Sequence, residues 1–220
     1  LHLSIRRQRQ MCIRDRYVMD LSGPVGDCAV AAPTLITFSA EVVGKAAHAG
    51  FAPEDGVHAI QVAAAAVANL PSGRWGDVTV NVGTISGGRA TNIVPDSCTV
   101  TGEIRALCHQ DALDRLNEIH SEFVEQAQAV DAKLNFNHTI HITGYRVDTD
   151  APVAQRFRRA CAAVGVAPRF TDTYGGSDCN ILSAHGIQGL VVATAMNNCH
   201  AVNEYTTVEE LCKAGRLAQA

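Results

Sequence analysis

The chain has 220 residues, 47% of them hydrophobic and 18% charged, with a formal net charge of −4. This is the composition of an ordinary globular protein, long enough for one large domain or two small ones. The acidic balance argues against nucleic-acid binding by bulk charge, and no apolar run approaches the roughly 20 residues that span a bilayer. The eight cysteines are spread along the chain without a C-x-x-C pair. That usage predicts free, packed thiols in a reducing, cytoplasmic setting rather than a disulfide framework.

Leu1–Arg16 carries Arg6, Arg7, Arg9, Arg14 and Arg16 against the single acid Asp15. It lacks an apolar core and is not a secretory signal. It resembles translated sequencing-adaptor read-through more than a basic arm, so patterned protein is expected from Tyr17 on. Tyr17–Asp20 reads as a short strand ending in an acid, before the turn Ser22-Gly23-Pro24-Val25-Gly26. Leu35–Val43 alternates as a half-buried strand. It leads into Gly44-Lys45-Ala46-Ala47-His48-Ala49-Gly50, where a histidine sits among small residues. Pro53-Glu54 is expected to open a helix that runs to Leu70, stopped by Pro71-Ser72-Gly73.

Val78–Ile85 and Cys98–Leu107 read as strands, a helix follows from about Asp111, and Leu134–Ile142 reads as a further strand. The order βαββαβ over residues 34–147 predicts a ferredoxin-like α+β sandwich. From residue 148 the rhythm is helix, strand, helix, strand, helix. Asp150 is expected to cap the first helix, Gly175-Gly176-Ser177-Asp178 leads into a short one, and Thr207-Val208-Glu209-Glu210 reads as a capping box. This alternation is that of an α/β domain. The middle domain therefore reads as inserted between residues 17–33 and 148–220. Asp20 and His200 both fall where α/β sheets place their sites, at strand ends, and both are ordinary zinc donors. Glu204 is a candidate to orient His200.

Five ordered segments carry a resemblance. They are Asp20-Leu21-Ser22-Gly23-Pro24-Val25-Gly26, the His48 segment, Gly87-Gly88-Arg89-Ala90-Thr91-Asn92-Ile93-Val94-Pro95, Gly102-Glu103-Ile104-Arg105, and His200-Ala201-Val202-Asn203-Glu204-Tyr205. Together they resemble the dinuclear-zinc metallopeptidases and amidohydrolases that include aminoacylase, carboxypeptidase G and peptidase T. The peptidase T-like branch is nearest, because the first metal position is an aspartate.

The resemblance implies two Zn2+ ions per complete site, with Asp20 on one and His200 on the other. His48, on the inserted lid, would polarise the scissile carbonyl in the partner subunit's site. Asn92 would help to hold the substrate, and Arg105 would bind its carboxylate or fix the lid. Gly175, Gly176 and Ser177 would present backbone N–H groups. The implied protein is a homodimer, joined through its lid, that hydrolyses small peptides.

The family's His-x-Asp segment, bridging Asp and Glu-Glu pair have no counterpart here, and Glu209-Glu210 belongs to a helix cap. The chain therefore reads as a C-terminal fragment, inactive as it stands. The alternatives are an N-acyl amino acid amidohydrolase of the same family and a non-catalytic ferredoxin-like module. The remaining histidines, His58, His109, His120, His138, His141 and His185, read as surface, sheet-face or helix-end residues.

Overall fold

The computed structural model describes residues 15–220. In chain order its strands are β1 (Asp15–Ser22), β2 (Asp27–Ala32), β3 (Thr34–Val43), β4 (Gly73–Trp75), β5 (Val78–Gly87), β6 (Ser97–Ala106), β7 (Lys133–Ile142), β8 (Tyr145–Arg146), β9 (Arg169–Asp172) and β10 (Gln188–Met196). Its helices are α1 (Ala59–Asn69), α2 (His109–Gln128), α3 (Pro152–Ala163), α4 (Asp178–Ala184) and α5 (Val208–Gln219). The adaptor-like run lies outside the described residues except for Asp15 and Arg16, which continue β1 and pair with Gln188 and Gly189. The described chain forms two units, one comprising Thr34–Ile142 and the other the segments on either side.

In the Thr34–Ile142 unit the strand order is β4-β5-β6-β3-β7, antiparallel throughout. β3 sits between β6 and β7, and its alternation is strict: Ile36, Phe38, Ala40 and Val42 are buried, while the residues between them are partly exposed. The buried face packs on Ala59, Val62, Ala63 and Ala66 of α1 and on Leu116, Ile119 and Phe123 of α2. Removing this apolar surface from water is what holds the two layers together. This is the ferredoxin-like βαββαβ sandwich expected from sequence.

Two local expectations differ. Pro53-Glu54 does not open α1. Pro53–Asp55 is an isolated 3-10 turn, Gly56 is extended, and α1 starts at Ala59 with His58 as its N-cap. The break arises because Val57 exchanges both backbone hydrogen bonds with Lys45, which commits it to an extended conformation. Gly73, read as a helix stop, also begins β4, a three-residue strand too short to show a period.

In the other unit β1 pairs with β10 in parallel, β10 with β2 antiparallel, and β2 with β8 antiparallel and β9 in parallel. β2 is buried at every position. Its sequence, Asp-Cys-Ala-Val-Ala-Ala, lacks alternation because both faces are covered, and its small side chains carry little β propensity. Helices α3 and α5 bury Val153, Phe157, Cys161, Ala214 and Leu217 against this sheet. Tyr145 and Arg146 pair with Ala32 and Ala31, so the inserted unit ends at Ile142 rather than Val147. Asp150 does not cap α3: the N-cap is Ala151, without a side-chain bond, and Pro152 has no N–H to offer. The Asp150 carboxylate instead lies 3.6 Å from Arg158.

Candidate functional site

His48 stands on a segment clamped from both sides. Gly44 N–H donates to the Asp96 carbonyl at 2.9 Å, Val94 N–H to Ala47 at 2.9 Å, and Ala49 N–H to Asn92 at 3.0 Å. On the other flank Lys45 and Val57 exchange bonds of 3.0 and 2.9 Å. Glycine is required at residue 44, where a Cβ would drive into the Val57 carbonyl oxygen. These bonds place His48 beside Asn92, and both side chains are exposed.

The imidazole is held in turn. Gly50 N–H donates to His48 Nδ1 at 3.1 Å, so the neutral ring carries its proton on Nε2. The Phe51 ring lies over it with centroids 4.3 Å apart, tilted 34°. The result is a pre-oriented Nε2–H donor at the tip of a loop, the type of group that stabilises charge developing on a carbonyl oxygen.

Arg105 is not part of this cluster. It pairs with Leu35 at one end of β3, whereas Val43, from which the chain runs on to His48, pairs with Ser97 at the other. At about 3.3 Å per residue the two positions are on the order of 25 Å apart. Arg105 is also engaged: its Nε donates to Glu103 Oε1 at 2.9 Å, on the same face two residues along the strand. The register thus places Arg105 at the opposite end of the sheet from His48 and Asn92. Thr34 and Ile142, where the chain enters and leaves this unit, are both at the Arg105 end, and His48 is at the far end.

In the other unit Asp20 lies near the C-terminal end of β1, and His200 follows the C-terminal end of its parallel neighbour β10. Ser22 is in register with Met196, so the two strand ends are adjacent. Both residues are exposed. His200 sits at φ +65° in a turn, and that conformation turns its backbone N–H to Glu204 Oε2 at 2.9 Å. Glu204 therefore fixes the loop backbone rather than the imidazole, contrary to the expectation from sequence. A carboxylate oxygen and an imidazole nitrogen suit zinc. Among the described residues, no three His, Cys, Asp or Glu side chains converge to hold a metal.

Of the three N–H groups expected to face a substrate, two are engaged locally. Gly175 N–H donates to Thr173 Oγ1 at 3.1 Å, and Ser177 N–H to Asn180 Oδ1 at 3.1 Å as half of a capping box. Gly176 is not taken up by these turns.

Cys179 is fully buried, and burial raises its thiol pKa, which removes it as a nucleophile near neutral pH. Several other histidines have structural partners. His58 caps α1, His109 bonds Thr34 at 3.1 Å, His141 bonds Thr37 at 2.8 Å and His120 packs on Phe136. The contact of Phe51 with His48 is not foreseen from sequence, because an exposed aromatic in a loop has no periodicity to reveal it.

Residues 30–131 match the M20 peptidase dimerisation domain. The match falls almost wholly within the Thr34–Ile142 unit. Over 205 residues it is 32% identical to the uncharacterised protein YqjE of Bacillus subtilis, covering 93% of this chain and 55% of that protein. The crystal structure of aminopeptidase PepT from Bacillus cereus matches with a TM-score of 0.88 at 34% identity, over 93% of this chain and 55% of that one. A tripeptidase from Staphylococcus aureus matches with a TM-score of 0.88 at 27% identity, over 92% and 54%. The chain spans about half the length of these relatives.

Proposed function

We propose that this chain forms the lid and part of the catalytic domain of a cytoplasmic, zinc-dependent exopeptidase that acts on small peptides as a homodimer. The observation that carries the reading is the His48 loop, a clamped Nε2–H donor beside Asn92, on a unit that matches a peptidase dimerisation domain. By name, one of the solved structures reported above is an aminopeptidase and the other a tripeptidase, which favours peptides over N-acyl amino acids.

In this reading Asp20 and His200 each supply one ligand to a zinc pair. The chemistry such ions bring is the acidification of water for attack at a carbonyl. His48 Nε2–H donates to the scissile carbonyl oxygen as it gains charge, Asn92 and Gly176 help to hold the substrate, and Arg105 serves the end of the lid where the chain enters. His48 acts in the partner subunit's site. The match of this unit to a peptidase dimerisation domain supports action on another copy.

The test is subunit complementation in the full-length protein containing this chain. His48→Ala and Asp20→Ala homodimers are each expected to lose at least about 100-fold in kcat/KM, as for loss of one oxyanion donor or a metal ligand. Mixed and re-annealed, they form heterodimers with one intact site, and activity returns. Mixtures as inactive as their parents would exclude action across subunits, and a fully active His48→Ala enzyme would exclude His48 altogether.

A further inference from the structure

Phe51 is 85% exposed, the most exposed aromatic ring among the large hydrophobics of the described chain. Its position is not that of a loose loop residue. Its N–H donates to the His48 carbonyl at 3.2 Å, and its ring lies 4.3 Å from the imidazole by centroids. An exposed phenyl ring gains most by being covered with apolar surface. This one is held by backbone bonds beside a histidine whose Nε2–H is directed away from the Gly50 N–H.

We infer that Phe51 is a specificity-determining residue, an apolar wall for the substrate side chain next to the scissile bond; the inference rests on the assignment of His48 as the carbonyl donor. A carbonyl oxygen accepting from Nε2 sits about 2.9 Å away. Its carbon and the two residues flanking the bond then fall within reach of the phenyl ring packed on the same imidazole. A glycine there leaves the ring exposed, whereas a leucine or phenylalanine covers it. The substrate class is short peptides with an apolar residue on one side of the cleaved bond.

The experiment measures kcat/KM of the full-length protein on Leu-Gly-Gly, Gly-Leu-Gly and Gly-Gly-Gly, for the parent, Phe51→Ala, Phe51→Leu and His48→Ala. The readout is the ratio of each leucine peptide to Gly-Gly-Gly. In Phe51→Ala that ratio is expected to fall about tenfold for one of the two, the scale of a lost apolar pocket contact, and Phe51→Leu is expected to restore most of it. Equal loss on all three peptides makes Phe51 only a support for the imidazole and overturns the inference, as does no loss on any. Dissociation of the Phe51→Ala dimer in sedimentation, with the ratios unchanged, assigns the ring to the subunit interface and also overturns it. An active His48→Ala enzyme sinks the donor assignment, a result separate from the Phe51 ratios. A parent inactive on all three peptides overturns both.

Discussion

Gly50 donates its backbone N–H to Nδ1 of His48 at 3.1 Å, from two residues further along the same turn. A donor this close fixes which ring nitrogen is the acceptor, and so which one faces outward with a proton. The finding makes the tautomer of His48 a property of the loop rather than of any ligand. Long-range 1H–15N spectra of the neutral ring are expected to show the Nε2–H form. A dominant Nδ1–H signature would contradict the geometry and remove the donor role.

The same loop depends on Gly44. An added methyl group meets the Val57 carbonyl oxygen, which is backbone and cannot rotate away. Gly44→Ala is expected to destabilise the protein by about 1–3 kcal/mol, the usual scale of overpacking, seen as a lowered midpoint in denaturant. His48 hydrogen bonding should be disturbed as well, because Lys45 and Val57 are displaced. An unchanged midpoint would mean that the two segments are not in contact.

Asn180 is buried and donates through Nδ2 to the carbonyls of Pro33 at 3.1 Å and Thr143 at 2.9 Å. These are the residues at which the chain leaves and re-enters the flanking unit. Asn180→Ala strands both carbonyls and the Ser177 N–H. It is expected to cost about 2–4 kcal/mol, from three lost bonds at roughly 1 kcal/mol each. Thermal or urea unfolding measures this, and a loss below about 0.5 kcal/mol would show that water replaces the side chain without penalty.

The thiols divide by burial. Cys28, Cys98, Cys161 and Cys179 are buried, Cys108 and Cys212 are exposed, and Cys199 is intermediate. A native-state thiol reagent at neutral pH is expected to modify Cys108, Cys199 and Cys212 quickly and the four buried thiols only on unfolding. Burial pushes Cys28 from 9.0 up to about 12, and it also raises Cys98, Cys161 and Cys179. A thiol whose pKa is higher in the folded state stabilises fully below its unfolded value. That contribution is lost as pH rises from about 9 through the folded pKa. Stability should therefore fall over pH 9–12, and more gently in Cys28→Ala at matched parent stability. A flat profile over that window would deny the burial of these thiols.

The sequence legible by period was read well. β3 and α2 each bury one face, β7 half-buries Leu134 and Phe136 on one face, and such one-sided burial imposes the repeat that reveals it. The ferredoxin-like order follows from those elements, and the five ordered segments around Asp20, His48, Asn92, Arg105 and His200 carry the resemblance to the dinuclear-zinc metallopeptidases and amidohydrolases. Where both faces are covered, as in β2, or where the element is three residues long, as in β4, no period exists to be read.

Local pattern and residue type are enough to define the set of elements and the identity of the chemically able side chains. Tertiary structure decided which of them meet. The register of β3 with β6 puts Arg105 a strand's length from the His48 end, and parallel pairing of β1 with β10 makes the ends preceding His200 and following Asp20 neighbours. Hydrogen bonds across sequence gaps of forty residues clamp the His48 loop to Asn92. Chain spacing contains no such information, since partners in a sheet are chosen by packing at a distance rather than by neighbours along the chain.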